Sequence, residues 1–127
     1  MKKFVACLLC VCFALLFVSC GKEEGKPPFD VAESTLEQSN MSKSEYSAAE
    51  IATFAKRFTK IGLEKGFSRV HHFRSKTQYA YLIEFESESD AEKFYTNARK
   101  YKYDIARSKN VVVYGDSAWI ADIPFEE

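Results

Sequence analysis

The feature that most constrains the fold is a hydrophobic period that changes from helical to alternating and back over residues 47–101. Two segments carry apolar residues at the spacing of an amphipathic helix, and the segment between them alternates apolar with polar residues. Helices with one apolar stripe and a sheet with one apolar face can bury each other. The pattern therefore predicts helices packed on a sheet.

Both predicted helices begin at a capping signal. The first starts at Ser47, where Ser47–Glu50 matches a capping box, and Gly62 and Gly66 are candidate stops. The second has Ser87 or Ser89 as its N-cap. The predicted stripes are Ile51, Phe54, Ala55, Phe58 and Ile61 in the first helix, and Ala91, Phe94, Tyr95, Ala98 and Tyr101 in the second. The two stripes match at an offset of 40 residues, which suggests two related helix-plus-hairpin units.

The residues that follow each helix predict a β-hairpin. Gln78–Glu86 alternates apolar with polar side chains, and Phe67–Phe73 is its expected antiparallel partner across a turn at Arg74–Thr77. After the second helix, Tyr103–Arg107 and Val111–Tyr114 flank a short polar turn in the same way. Each predicted helix is thus followed by two strands.

A turn at Gly115–Asp116 predicts one further strand over 117–123. We expect residues 44–127 to form a small α+β domain with the order α-β-β-α-β-β. Its architecture is predicted to be a two-layer sandwich, with two helices packed on one face of an antiparallel sheet of about four to five strands.

The first twenty residues have a different composition from the rest of the chain. Lys2 and Lys3 precede Phe4–Val18, which contains no charged residue. This pattern is typical of a secretory signal peptide, and the apolar run is shorter than the roughly 20 residues that a membrane-crossing helix needs. All four cysteines lie in this leader: Cys7, Cys10, Cys12 and Cys20. A disulfide framework is therefore excluded for residues 21–127.

The end of the leader carries the most specific motif of the sequence. Leu16–Gly21 reads Leu-Phe-Val-Ser-Cys-Gly, with small residues before a cysteine that closes the apolar run. This segment resembles the lipobox of bacterial prolipoproteins. Val18 and Ser19 fit the pattern, whereas Phe17 stands where the commonest version has leucine. The resemblance covers residues 1–21 only, and the rest of the chain is not recognised.

The resemblance implies that the Cys20 thiol receives diacylglycerol, that residues 1–19 are removed as a signal peptide, and that the new amino terminus is acylated, for instance with palmitate. Two or three acyl chains hold a protein stably on a membrane, whereas one chain holds it only marginally. Gly21 differs from the aspartate that retains such proteins in an inner membrane. We expect the cell envelope as location: the outer membrane in a cell with two membranes, otherwise the outer face of the cell membrane.

Residues 20–43 are rich in Gly, Lys, Glu, Pro, Ser and Gln, with isolated Phe29, Val31 and Leu36. This composition predicts a flexible tether between the lipid and the domain. A short helix around Val31–Gln38 is the alternative. The predicted organisation is therefore a signal peptide over 1–19, a lipid-anchored tether over 20–43 and a domain over 44–127.

The charge of the chain gives no support for nucleic-acid binding. Basic and acidic side chains number 18 each, and the leader removes only Lys2 and Lys3, which leaves 16 basic against 18 acidic. A nucleic-acid-binding domain normally has a clear positive excess. We therefore expect no nucleic-acid partner.

His71 and His72 are the natural place to look for a metal site or a general base. Adjacent residues on a strand point to opposite faces, so the two rings cannot converge on one ion. Acidic residues cluster at Glu84, Glu86, Glu88, Asp90 and Glu92. They are interpreted as the exposed face of a strand and the first turn of a helix, where the helix dipole favours negative charge.

The sequence thus predicts one modified residue, Cys20, and no catalytic residue, cofactor or metal site. It favours an envelope lipoprotein of unknown biochemical activity that acts as a non-enzymatic binding or structural module. The expected contacts are the membrane, through the lipid on Cys20, and another envelope protein. The alternative is a small envelope hydrolase or metal-dependent enzyme that uses His71 or His72.

Overall fold

The computed structural model describes residues 26–63, 65–101 and 104–125, and the predicted signal peptide and Cys20 lie outside them. In chain order the elements are α1 (Pro28–Glu37), β1 (Ser42–Glu45), α2 (Ala48–Ala55), a 3₁₀ helix (Lys56–Ile61), β2 (Phe67–Arg74), β3 (Tyr79–Phe85), α3 (Glu88–Ala98), β4 (Asp104–Ser108), β5 (Val111–Asp116) and a second 3₁₀ helix (Ala118–Asp122). None of the described helices is long and apolar enough to cross a membrane.

The five strands form one antiparallel sheet in the order β1-β2-β3-β5-β4. Helices α2 and α3 are each followed by a hairpin, and the second strands of the two hairpins, β3 and β5, pair at the centre of the sheet. The predicted α+β class, with helices packed on an antiparallel sheet, is confirmed.

Helices α2 and α3 cover one face of the sheet, as predicted. Ser47 and Glu50 form the expected capping box, and Ser87 caps α3, since its hydroxyl accepts the Asp90 N–H at 3.2 Å. The buried cluster on this face comprises Phe54, Leu63, Val70, Tyr81, Ile83, Phe85, Ala91, Phe94, Ala98, Val112 and Tyr114. Phe54 of the first predicted stripe and Ala91, Phe94 and Ala98 of the second therefore lie in one core.

The two stripes end earlier than expected. Helix α2 stops at Ala55, and the backbone tightens into the 3₁₀ helix that ends at Gly62, whose φ is +71°. Helix α3 stops at Ala98, so that Tyr101 lies beyond it and is 52% exposed. Tyr101 therefore does not belong to the buried stripe, because the helical periodicity that placed it there ends one turn earlier.

Helix α1 lies within the segment expected to be a tether, and it covers the opposite face of the sheet. Phe29, Ala32 and Leu36 are fully buried. The cluster on this face comprises Phe29, Val31, Ala32, Leu36, Phe73, Ala80, Leu82, Val111, Val113, Ile120 and Ile123. Helix α1 thus adds a second helical layer to the one that the sequence predicts, and the sheet lies between the two.

The physical reason for this difference is the composition of the central strands. Strands β3 and β5 are apolar on both faces: Ala80 and Leu82 point towards α1, while Tyr81 and Ile83 point towards α2 and α3. A strand that is apolar on both faces needs cover on both. Pro28 in the first turn also suits a helix start, because its missing N–H is not needed there.

The strand expected over 117–123 is a 3₁₀ helix instead. Ser117 caps it, since its hydroxyl accepts the Trp119 N–H at 3.2 Å. Ile120 and Ile123 then join the α1 side of the core. The alternating apolar residues of this segment fit a strand equally well, and the serine cap decides between the two structures.

Gly115 permits β5 to approach β3 closely. Its φ is +157°, and a Cβ atom there would overlap the carbonyl oxygen of Tyr79. We expect Gly115→Ala to lower the free energy of unfolding by more than about 1 kcal/mol, because the strand pair must shift to relieve the overlap. Urea unfolding followed by circular dichroism measures this effect, with Asp116→Ala at the next, exposed position as the control. Equal midpoints for Gly115→Ala and the parent chain would contradict it.

Candidate basic cleft beside an aromatic row

The two histidines point to opposite faces of β2, as expected. His71 faces α1 and is 5% exposed. Its Nδ1 lies 2.5 Å from a carboxylate oxygen of Glu33, and its Nε2 lies 3.5 Å from a carboxylate oxygen of Glu45. Lys43 Nζ lies 3.6 Å from the same Glu33 oxygen. These contacts join α1, β1 and β2.

The surroundings of His71 favour a structural role over catalysis. A general base needs a ring nitrogen within hydrogen-bond reach of the substrate. Both nitrogens of His71 face carboxylates, its side chain is almost completely buried, and the Phe29 ring lies edge-on with its centroid at 4.9 Å. His71 therefore fastens α1 and β1 to the sheet.

His72 belongs to a row of stacked rings on the opposite face. Its neighbours across the sheet are Tyr81 in β3 and Tyr114 in β5. The His72 and Tyr81 rings stack with centroids 4.2 Å apart at an angle of 6°, and Tyr81 and Tyr114 stack at 5.3 Å and 23°. We call His72, Tyr81 and Tyr114 the aromatic row. The three rings therefore form one continuous stack across β2, β3 and β5.

Arg57 and Tyr46 contact this row from the helical layer. Arg57 Nη1 donates to the Tyr81 hydroxyl at 3.1 Å, and the guanidinium lies 5.6 Å from the Phe54 ring centroid. The Tyr46 hydroxyl lies 3.5 Å from His72 Nδ1. Burial raises the pKa of Tyr46, and the neighbouring Tyr81 phenol raises it further. Tyr46 therefore stays a neutral phenol at physiological pH.

An open cleft of 430 Å³ lies between Arg57, the aromatic row and the β2–β3 turn. We call it the basic cleft; its lining residues are Arg57, His72, Arg74, Ser75, Lys76, Thr77, Gln78, Tyr79, Tyr81 and Tyr114. Three of these side chains are cations, and none is a carboxylate. Among the described residues, no carboxylate forms an ion pair with Arg57, Arg74 or Lys76, whereas Lys43 and Arg69 are paired.

His72 experiences the positive charge of the cleft. Burial lowers the pKa of the ring below its ordinary value, and the charges of Arg74 and Arg57 lower it further. The ring is therefore neutral at pH 7. Protonation would place an additional positive charge beside two guanidinium groups.

The lowered pKa of His72 predicts a pH-dependent stability. The unfolded chain binds the proton at the ordinary pKa of about 6.5, and the folded chain binds it only at lower pH. The contribution of neutral His72 to the free energy of unfolding is complete above about pH 6.5. It is lost as the pH falls towards the pKa of His72 in the folded chain. We expect the parent chain to lose more stability than His72→Gln when the pH falls from about 7.5 to about 5.5.

Urea unfolding at the two pH values measures this difference, because the carboxylates are common to both chains and cancel in the comparison. His71→Gln is measured in the same way and shows how the free energy of unfolding changes when the neighbouring imidazole ring is replaced. Parallel losses of stability in the parent chain and in His72→Gln would contradict the prediction.

The predicted acidic cluster does not assemble into a site. Glu84 lies on β3, where Arg69 pairs with it at 3.2 Å, while Glu88 and Asp90 lie in the first turn of α3. Across the described residues, no group of three or more His, Cys, Asp or Glu side chains is placed to hold a metal ion. The interpretation of these acids as a strand face and a helix start is thus consistent with their positions.

The sequence alone did not identify Arg57, Arg74, Lys76 or the aromatic row as one site. The available signal was the hairpin: a turn near residues 75–78 places His72 opposite Tyr81. No protein-family model, curated protein or solved structure matches this chain.

Proposed function

We propose that this protein is a lipid-anchored envelope lipoprotein whose α+β domain is a non-enzymatic binding module, with the basic cleft as its binding site. The observation that carries the proposal is a set of three cations that line the cleft beside the aromatic row and have no ion-pair partner within the described part of the chain. Concave sites with a few converging polar groups are where proteins usually bind ligands.

The lipobox-like segment supports the anchor. Acylated Cys20 would place the domain on the outer membrane of a two-membrane cell, or on the outer face of a single membrane. Helix α1 begins at Pro28, so residues 20–27 separate the lipid from α1. Eight residues span at most about 29 Å when fully extended. The anchor therefore holds the domain close to its membrane.

Binding fits the cleft better than catalysis does. A nucleophile or general base in an enzyme is usually oriented by a second group, as in a histidine–carboxylate pair. His72 lines the cleft, but no carboxylate does. His71 has carboxylate partners, but it lies on the other face of the sheet and is buried. The histidine that faces the cleft and the histidine that has a carboxylate partner thus lie on opposite faces of β2.

A hydrolase centred on His71 remains the second candidate, and the Glu33–His71 pair is the observation that favours it. The two candidates differ in which substitutions remove function. A binding module depends on Arg57 and Arg74, whereas a hydrolase depends on His71 and Glu33.

Site-specific photo-crosslinking in intact cells tests the binding site. A photoreactive residue at Thr77, which is exposed and lines the cleft, should yield an adduct detectable as a mass increase. The same residue at Glu92, on the exposed side of α3, is the matched control. The proposal predicts an adduct at residue 77 that Arg74→Gln diminishes. An equal yield at both positions, or no adduct at residue 77, contradicts it.

A further inference from the structure

Three cations approach the basic cleft from three separate elements. Arg57 comes from the 3₁₀ helix after α2, Arg74 from the end of β2, and Lys76 from the β2–β3 turn. Their like charges repel one another, and an anion among them would offset that repulsion. Lys43 and Arg69, by contrast, lie beside carboxylates of the chain itself.

The turn that carries Lys76 is held in place by hydrogen bonds. The Ser75 hydroxyl accepts the N–H of Gln78 at 3.0 Å and the N–H of Thr77 at 3.3 Å. The backbone N–H of Ser75 donates to the Gln78 carbonyl oxygen at 2.8 Å. The mouth of the cleft is therefore a fixed turn, and its position does not depend on a ligand.

The Tyr81 hydroxyl holds Arg57 at the cleft. It accepts a hydrogen bond from Arg57 Nη1 at 3.1 Å, and it also forms a hydrogen bond with the Tyr46 side chain. An oxygen placed in the cleft would meet the remaining guanidinium N–H groups of Arg57. Arginine presents a planar fork of donors that matches two oxygens of a phosphate or carboxylate group.

We infer that the basic cleft binds a phosphate group carried by an envelope ligand; this inference rests on the proposed binding function. Three cations match a phosphate, with one to two negative charges and three or more acceptor oxygens, better than a single carboxylate. The 430 Å³ volume leaves room for the part of the molecule to which the phosphate is attached.

Helix α1 begins near one end of β2, and the basic cleft lies at the other end. Phe29, near the start of α1, lies under the guanidinium of Arg69, with the ring centroid at 3.6 Å from its carbon. Residues 38–41, after the end of α1, line a second cleft together with the β2–β3 turn. The chain thus enters at the Phe67–Arg69 end of β2, about 20 Å from the turn by strand length. The cleft and the entry of the chain lie at opposite ends of β2, so a phosphate outside the anchoring leaflet can reach the cleft.

Calorimetric titration of the full-length protein, held in nanodiscs of neutral lipid, tests the inference with sodium pyrophosphate as the probe. We expect saturable binding that Arg74→Gln weakens by roughly tenfold or more, because a charge-assisted hydrogen bond and an ion pair are lost. Arg99→Gln removes the same charge at the exposed end of α3 and should leave the affinity within about twofold.

Arg74 is chosen for replacement because its side chain is exposed. Replacement of Arg57 would also remove the hydrogen bond to Tyr81. No binding of pyrophosphate, equal weakening by Arg99→Gln, or sodium acetate binding as tightly as pyrophosphate would overturn the phosphate assignment.

Binding to phosphatidylglycerol vesicles is the second experiment, with phosphatidylcholine vesicles as the control. Preferential binding to phosphatidylglycerol, without pyrophosphate binding, would overturn the placement of the ligand outside a lipid surface.

The outcomes separate this inference from the proposed function. Crosslinking at residue 77 that persists while pyrophosphate fails to bind means that the cleft is a binding site for a different ligand. Loss of crosslinking at residue 77 with pyrophosphate binding intact means that phosphate binds in the cleft but the envelope role is wrong.

Discussion

A chain that begins at residue 44 should fail to fold stably, whereas a chain that begins at residue 26 should unfold cooperatively in urea. The shorter chain lacks α1, and with it the fully buried Phe29, Ala32 and Leu36. Burial of one Phe or Leu side chain contributes about 1.5 to 3 kcal/mol, and small domains have a total stability of only about 5 to 15 kcal/mol. The uncovered face of the sheet would also expose Phe73 and Leu82 to water.

Circular dichroism during a urea titration measures both chains, and Phe29→Ala in the longer chain serves as a graded control. This replacement should lower the free energy of unfolding by about 3 to 5 kcal/mol without abolishing the cooperative transition. Coincident midpoints for the chains that begin at 26 and at 44 would show that α1 is dispensable. In that case the domain boundary predicted from the sequence would be the better one.

The sequence predicted the helices and hairpins after residue 47 because their signals are local. The capping serines, the stripe that includes Phe54 and Ala91, and the alternation along β3 all depend on residues close together in the chain. Ser47 and Ser87 begin helices in the structure for the physical reason that the sequence indicated. Local hydrogen bonding and periodicity decide these elements.

Helix α1 was not predicted with the same clarity because its stability comes from packing against the sheet. Phe29, Val31 and Leu36 stand among polar residues, and ten residues of this composition would not form a stable helix alone. The need for α1 appears only once β3 and β5 pair and present an apolar second face. Which faces of a sheet require cover depends on strand order, and no single segment encodes that order.

The basic cleft was missed for a related reason. Arg57 lies outside the apolar stripe of the first predicted helix, where a charged residue ordinarily faces solvent. Its contact with Tyr81 spans 24 residues of sequence. Only the assembled sheet and helix bring Arg57, Arg74 and Lys76 around one cleft.

Incorporation of fatty acid into this protein should depend on Cys20. In cells fed an alkyne-tagged palmitate analogue, the parent protein should incorporate the label, and Cys20→Ala should incorporate none. The reason is that the Cys20 thiol and the amino group exposed by cleavage are the expected acylation sites. Cys12→Ala is the matched control, since it removes a cysteine of the leader outside the lipobox-like segment. Label retained by Cys20→Ala, or lost from Cys12→Ala, would contradict the assignment.

The intact mass of the protein extracted from its native membrane tests whether the domain is anchored by lipid. We expect a chain that begins at Cys20 and carries the added mass of diacylglycerol and, where the amino terminus is acylated, one further acyl chain. A species that retains residues 1–19 should not be the major form. A mature chain with an unmodified Cys20, or a full-length chain that keeps its leader, would contradict the claim that this domain is anchored to the envelope by lipid.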